Sequence, residues 1–336
     1  MRRRLSRCRR TFCVSVSLVA NYILRRLGWA LVVTIGVTTL VFILIRTVGG
    51  DPAEIRMGEL VQKNPEAVEV FRRKHNLHLP IYEQYFLFVK GALHGDFGDS
   101  IISGRPAGEL LKRGLRVTVP LGVLALFFSV VIGMGLGMLA AFRHRTWVDS
   151  LSSFLALIGV AMPSFYLAML LMLFGGIYLG WFPVLGGIGL RPLEDPLGAL
   201  HKLFLPALAV GLYSAASICR QVRSSILEEL RKQYITVARA KGIHQSLINI
   251  RHALRNALIP TVTIIGLQIA DLISGLIFVE LVFTLPGVGR IFLEAIAQRD
   301  FIVIQACVFF FAISFSIINL ATDLLYPVLN PKVRLQ

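Results

Sequence analysis

The stretch Tyr234–Pro260, YITVARAKGIHQSLINIRHALRNALIP, carries Arg239, Lys241, Arg251 and Arg255, no acid, and a single glycine, Gly242. Before that glycine, Ile226, Leu230, Tyr234 and Val237 recur at three- and four-residue spacing; after it, Leu247, Ile250, Leu254 and Leu258 do the same. The pattern predicts two short amphipathic helices joined at Gly242, a residue free to take the left-handed conformation that helix ends favour. Such a pair either lies on a bilayer, anchored by its arginines, or stands out from it to be held by a partner.

The segments on either side argue for a bilayer. The 336 residues are 55% hydrophobic and 16% charged, with a mean hydropathy of +0.71. Such a composition marks an all-α, polytopic membrane protein rather than a soluble domain. The net charge of +16 sits beside apolar spans. It therefore speaks of topology and anionic lipid headgroups, not of nucleic acid. A crossing helix needs about 20 apolar residues, and six such spans are expected, at 27–45, 117–142, from 150 to near 180, 203–219, 256–279 and 301–322. The third uncharged run extends to 190, and Gly175, Gly176, Gly180 and Pro183 are expected to break it.

The chain thus divides into a basic tail (1–26), a first span (27–46), a long loop (47–116), a core of five further spans (117–326) with a basic loop at 220–259, and a short tail (327–336). Six spans put both termini on one side. Arg143, Arg145, the 220–259 loop and the N-terminal arginines outnumber the cations of the opposite loops, so the positive-inside rule places termini and basic loop in the cytoplasm. RRTFCV at Arg9 is like a twin-arginine signal, but no small-residue cleavage site follows, and a basic cytoplasmic extension or an early start fits better. Cys8, Cys13, Cys219 and Cys307 avoid long polar loops; no disulfide or metal site is expected.

The long loop has structure of its own. Asn64, Pro65 and Glu66 read as an N-cap, first helical position and acidic first turn. Pro80 repeats the device, with Tyr82, Phe86, Val89 and Leu93 at helical spacing. These helices form either a lid or a docking surface.

Asp271 falls near the middle of the fifth span. An acid there faces the bundle or a wet cavity, as a contact for a substrate amine or as a structural hydrogen-bond partner. Gly133, Gly135 and Gly137 in the second span suggest close helix packing. No Gly-Lys dipeptide occurs, which excludes a Walker A loop; neither His-Glu-x-x-His nor Gly-x-Ser-x-Gly is present. The residues alone leave an ion-gradient-driven secondary transporter, a subunit driven by a partner's ATP hydrolysis and, as a distant third, a gated channel. The first is expected to show an internal repeat and more intramembrane acids than Asp271.

TVARAKGI followed by RHALRNALIP resembles the "EAA" loop of permeases in binding-protein-dependent ABC importers, in the form of the dipeptide and oligopeptide subfamily. GGDPAEIRMG, HNLHLPIYEQY, GDFGDS, VFTLPGVGRIFLEAIAQRDFIVIQA and LLYPVLNPKVR resemble that subfamily in the same order, from about residue 21 to 334. Thr236 and Val237 depart from the motif's Glu and first Ala, while Ala238 and Gly242 match it. The resemblance implies a type I importer permease that moves di- or oligopeptides by alternating access. It implies an ATPase-coupling loop at Tyr234, Ala238, Arg239, Ala240, Lys241, Gly242, Ile243, Arg251, His252, Arg255 and Asn256, with Ala238 and Ala240 keeping the contact close. Glu280 stands where the family also has Glu, and is expected to brace the turn through Pro286, Gly287 and Gly289. The implied partners are a second, similar permease, two ATPases that bind ATP and Mg, and an external binding protein; this chain itself holds no cofactor and catalyses nothing.

Overall fold

The computed structural model describes residues 2–48, 50, 52–57, 65–187, 190 and 194–329, with side chains for most positions between 24 and 324. Asn64 lies outside the described residues, as do the side chains of Cys8 and Cys13. Every regular element among the described residues is helical, apart from one isolated bridge between Asp99 and Pro106.

Helix α1 (Arg2–Val48) contains the first apolar span, 24–47. Three short helices follow: α2 (Pro52–Met57), α3 (Pro65–Lys74) and α4 (Ile81–Leu93). Glu66 occupies the first turn of α3, as its position after Pro65 predicts. In α4, however, Tyr82, Phe86 and Leu93 point outward, and Gln84, Tyr85 and Phe88 face the protein instead. Phe42 of α1 is 2% exposed because the Tyr85 ring packs against it edge-on at 5.2 Å.

The second and fourth spans form the central pair: α5 (Ala107–Phe142) and α8 (Pro196–Leu230). Glycines let them touch. A Cβ on Gly133 would lie 2.7 Å from the Ala215 carbonyl oxygen, and one on Gly137 2.8 Å from that of Cys219. Gly135 faces open space, so two of the three glycines serve the packing, at the small-xxx-small spacing expected of helices in lipid. Cys219 and Cys307 are buried free thiols.

The third span ends at Tyr178, near Gly180 as the glycines suggest, and it is also bent earlier. Helix α6 (Trp147–Ala161) and α7 (Ser164–Leu171, wound on as a π-helix over Met172–Tyr178) meet at 108°. The bend is at Met162–Pro163. Pro163 disfavours a helical conformation in the residue before it, and Met162 is extended (φ −95°, ψ 127°). Gly175 and Gly176 lie inside the π-helix, and Gly180, at φ +64°, follows it.

After α8 comes α9 (Gln233–Ala240), then α10 (Gln245–Val282), which carries the fifth span and winds as a π-helix over Ile248–Leu254. A turn leads to α11 (Val288–Gln298), and α12 (Phe301–Leu329) supplies the sixth span. Leu121, Leu205, Val210, Leu276, Val279 and Phe283 form the main core where α5, α8 and α10 meet. Helix α1 lies outside this core, held to α12 by a Thr34–Ser316 hydroxyl pair (3.1 Å) and an Arg26–Asp323 ion pair (2.6 Å).

Candidate coupling site

The basic segment folds as a hairpin between α8 and α10. Helix α9 ends in a Schellman motif: the Gly242 N–H donates to the Arg239 carbonyl (2.9 Å) and the Ile243 N–H to that of Ala238 (3.3 Å). Gly242 sits at φ +75°, the left-handed conformation that Cβ disfavours. A Cβ there would meet nothing within 4 Å, so the backbone angle, not crowding within the chain, demands glycine.

Ile235, Ala238, Ile248 and Ala253 are the hairpin's buried core, with Leu230 and Ile243 packed against them. This corrects the stripe read from spacing. Val237, Leu247 and Ile250 are 50%, 47% and 63% exposed. Two breaks in register explain the difference. Helix α8 stops at Leu230, so Tyr234 and Val237 do not continue the face of Ile226. The π-winding over Ile248–Leu254 then rotates the residues after it relative to an α-helical count. Ala238 packs inside the hairpin at 8% exposure, whereas Ala240 is exposed beside Arg239 and Lys241. The hairpin therefore leaves Val237, Leu247 and Ile250 exposed, and the cations Arg239, Lys241 and Arg251 are exposed as well.

The hairpin is tied down at its base. The Tyr234 hydroxyl donates to Glu229 Oε2 (2.7 Å) and accepts from Asn256 Nδ2 (3.0 Å), while Lys232 pairs with Glu229 Oε1. Burial and the adjacent Glu229 raise the Tyr234 phenol above its ordinary pKa, which keeps it a neutral donor. Arg251, His252, Arg255 and Asn256 share one groove of about 560 Å³ along the start of α10.

At the other end of α10, Glu280 is fully buried. Its Oε1 accepts from the Thr118 hydroxyl (2.6 Å), and its Oε2 from the N–H groups of Gly289 (2.8 Å) and Arg290 (3.2 Å). The Thr118 hydroxyl in turn accepts from the Val288 N–H (2.9 Å). A Cβ on Gly287 would collide with the Glu280 carboxylate, and one on Gly289 would come 2.5 Å from the Ile277 Cα. Pro286 is exposed at the turn's outer edge. Glu280 thus braces the turn, as its place before Leu-Pro-Gly suggests, and fixes it to α5.

These features accompany a sequence match. Residues 133–335 fit the family described as the inner membrane component of binding-protein-dependent transport systems, and residues 19–103 fit the N-terminal part of the membrane component of such systems. The chain belongs to this family. The dipeptide transport system permease protein DppB of Alkalihalophilus pseudofirmus is 37% identical over 331 residues, covering 93% of this chain and 99% of the relative. The glutathione transport system permease protein GsiC of Escherichia coli K12 is 35% identical over 314 residues, covering 94% and 99%. Among solved structures, the MetNI methionine ABC transporter in inward-facing conformation matches at a TM-score of 0.54 and 19% identity, over 66% of this chain and 96% of that one. An amino acid ABC transporter matches at 0.51 and 15%, over 66% and 94%. At such identities these likenesses show the fold.

The permease is accordingly a multi-pass inner-membrane protein with the fold of ABC importer membrane subunits. The ion-gradient-driven alternative gives way to this family. Asp271 of the permease stands on an exposed face of α10 and makes no hydrogen bond or ion pair with another described residue. Among the described residues no three His, Cys, Asp or Glu side chains gather as metal ligands.

One cluster went unread in the sequence. Arg223 of α8 grips Asp149, in the first turn of α6, with Nε to Oδ1 at 2.6 Å and Nη2 to Oδ2 at 3.0 Å. His144 Nδ1 (2.9 Å) and the Arg145 N–H (3.1 Å) complete the carboxylate's shell. Asp149 is 6% exposed, and the pair fastens the third span to the helix that leads into the hairpin. A lone acid opening an apolar span was the available signal; its partner lies 74 residues away.

Proposed function

We propose that this permease forms half of a pathway through the inner membrane for small peptides, and that the hairpin α9–α10 is where a cytoplasmic ATPase grips it. The second half of the pathway comes from another, similar permease chain. Two ATPases bind ATP and Mg, and an external binding protein delivers the substrate. This chain is a non-catalytic transport subunit that supplies the route and the lever. Both termini and the hairpin face the cytoplasm, on the side where cationic loops accumulate.

The observation that carries the reading is the hairpin's uncovered face. Val237, Leu247 and Ile250 are apolar side chains that the fold itself leaves unburied, on a hairpin that also exposes Arg239, Lys241 and Arg251. Exposed apolar side chains accompanied by cations have the composition of a protein interface. Its base is fastened to α8 and α10 through Tyr234, so a displacement of the gripped helix is passed to two spans. The peptide class rests on the dipeptide and glutathione permeases that resemble the chain over nearly its whole length. Asp271 is the proposed contact for a substrate amine, on a face open to a partner chain.

The test is uptake of a labelled dipeptide by vesicles holding the permease with its partner subunits and binding protein. Uptake that requires ATP and stops in an Ile250→Asp variant, with all subunits still assembled at the outer stages of purification except the ATPases, supports the reading. Undiminished uptake in that variant, or uptake without nucleotide, refutes it.

A further inference from the structure

The outer-loop helices α3 and α4 and the loop after them cover the ends of α1 and α12 without filling the space beneath. A cavity of about 400 Å³ remains, within the range of small-molecule sites. It is separate from the hairpin and from Asp271 and shares no lining residue with either.

Two carboxamides in its lining are incompletely used. Gln305 of α12 is 5% exposed, and its side-chain amide nitrogen is buried with no acceptor among the described residues. Gln84 of α4 donates through Nε2 to the Leu79 carbonyl (2.8 Å), while its Oε1 is buried with no donor among them. An unmade buried hydrogen bond costs more than a typical made one contributes, so folds rarely keep such groups without a partner from elsewhere. Here a buried donor and a buried acceptor without partners among the described residues belong to two side chains that line one cavity.

The charged groups of the lining have both signs. Arg46, whose guanidinium lies 5.4 Å from the centre of the Phe42 ring, and Lys74 supply cations; Asp96 and Asp99 supply carboxylates. A simple anion would meet the acids, and a simple cation the bases. A molecule that carries both charges a few bonds apart meets neither penalty.

We propose that this cavity binds a small zwitterion, an ammonium group joined by a short linker to a phosphate or carboxylate. The Gln305 amide and the two cations take the anionic end, and Gln84 Oε1 with the two acids takes the ammonium. The chemistry has two sources: the headgroup of a phosphatidylethanolamine, whose chains would continue along apolar lining such as Leu87 and Phe88, or a free short peptide in solution.

The experiment uses the permease assembled with its partner subunits in lipid nanodiscs. Discs of phosphatidylglycerol alone are compared with discs containing phosphatidylethanolamine, and dialanine is titrated into the former; bound lipid is counted by native mass spectrometry and dialanine by calorimetry. Gln305→Leu and Lys74→Gln are measured beside the wild type. Selective retention of phosphatidylethanolamine, weakened about tenfold or more by Gln305→Leu and in the same direction by Lys74→Gln, supports a lipid occupant. Dialanine binding with the same sensitivity to both variants supports a soluble one. The proposal is overturned if neither probe distinguishes Gln305→Leu from wild type. It is equally overturned if Gln305→Leu melts above wild type with either probe present, as removing a donor that no ligand satisfies would cause.

Discussion

Asn256 Nδ2 donates to the Tyr234 hydroxyl at 3.0 Å, joining the first helix of the hairpin to the foot of the fifth span across 22 residues of sequence. Because the same hydroxyl reaches Glu229 at the end of α8, three helices share one oxygen atom. The joint is half in solvent and contributes modestly to stability, but it is the mechanical base of the proposed lever.

Tyr234→Phe should therefore lower stability by only about 1 kcal/mol, the ordinary net value of a hydrogen bond. Transport should suffer more than stability: ATP hydrolysis by the assembled complex is expected to continue while dipeptide uptake per ATP falls. Asn256→Ala should act through the same joint, so the double variant should lose less than the two single losses added together. Full additivity in uptake per ATP would show that the hydroxyl does not link the two helices.

Gly242 separates a backbone requirement from a steric one. Gly242→Ala pays for the left-handed conformation alone, about 1 kcal/mol, since the added methyl has space around it. Gly242→Leu should cost the isolated chain no more than Gly242→Ala. Only when the ATPases are present should Leu become far worse, seen as their loss on co-purification. Equal ATPase retention in the Ala and Leu variants would place the gripping surface elsewhere.

Arg223→Met leaves the buried Asp149 without its guanidinium; because Arg223 is itself 31% exposed, the cost should fall below the roughly 3 kcal/mol of breaking a fully buried pair. Thermal unfolding in mild detergent should show the loss. Adding Asp149→Asn removes the stranded charge, so Asp149→Asn with Arg223→Met should recover much of the midpoint. A double variant as unstable as Arg223→Met alone would mean that the arginine acts through packing rather than through the carboxylate.

The glycines of the second span form an internal control. Gly137→Val would drive side-chain atoms into the Cys219 carbonyl and Val222, an overpacking worth about 1–3 kcal/mol. Gly133→Val should behave alike against Ala215 and Ile218. Gly135→Ala faces open space and should be neutral or slightly stabilising, because alanine suits a helix better. Comparable loss of folded protein at all three positions would contradict the crossing of α5 and α8 seen here.

Much of this molecule is written in local pattern. Long apolar runs locate the spans because each must satisfy the bilayer's length whatever surrounds it. Gly242 announces a left-handed helix end, since few other residues tolerate one. Glu280 before Leu-Pro-Gly points to a braced turn, and the blocks from residue 21 to 334 carry the family. The hairpin's buried face was misread because helical spacing was counted through the end of α8 and through a π-turn that the count cannot see.

By itself, then, the sequence determined composition class, spans, the glycine turn and kinship, all of which depend on residues acting singly or with near neighbours in the chain. Only the tertiary structure decided that the third span bends by 108° at Met162–Pro163, that Val237, Leu247 and Ile250 look outward while Ile235 and Ile248 look in, and that Asp149 meets Arg223. Those outcomes turn on how helices cross and where their registers restart, and such relations are set between segments far apart in the chain, where no local pattern records them.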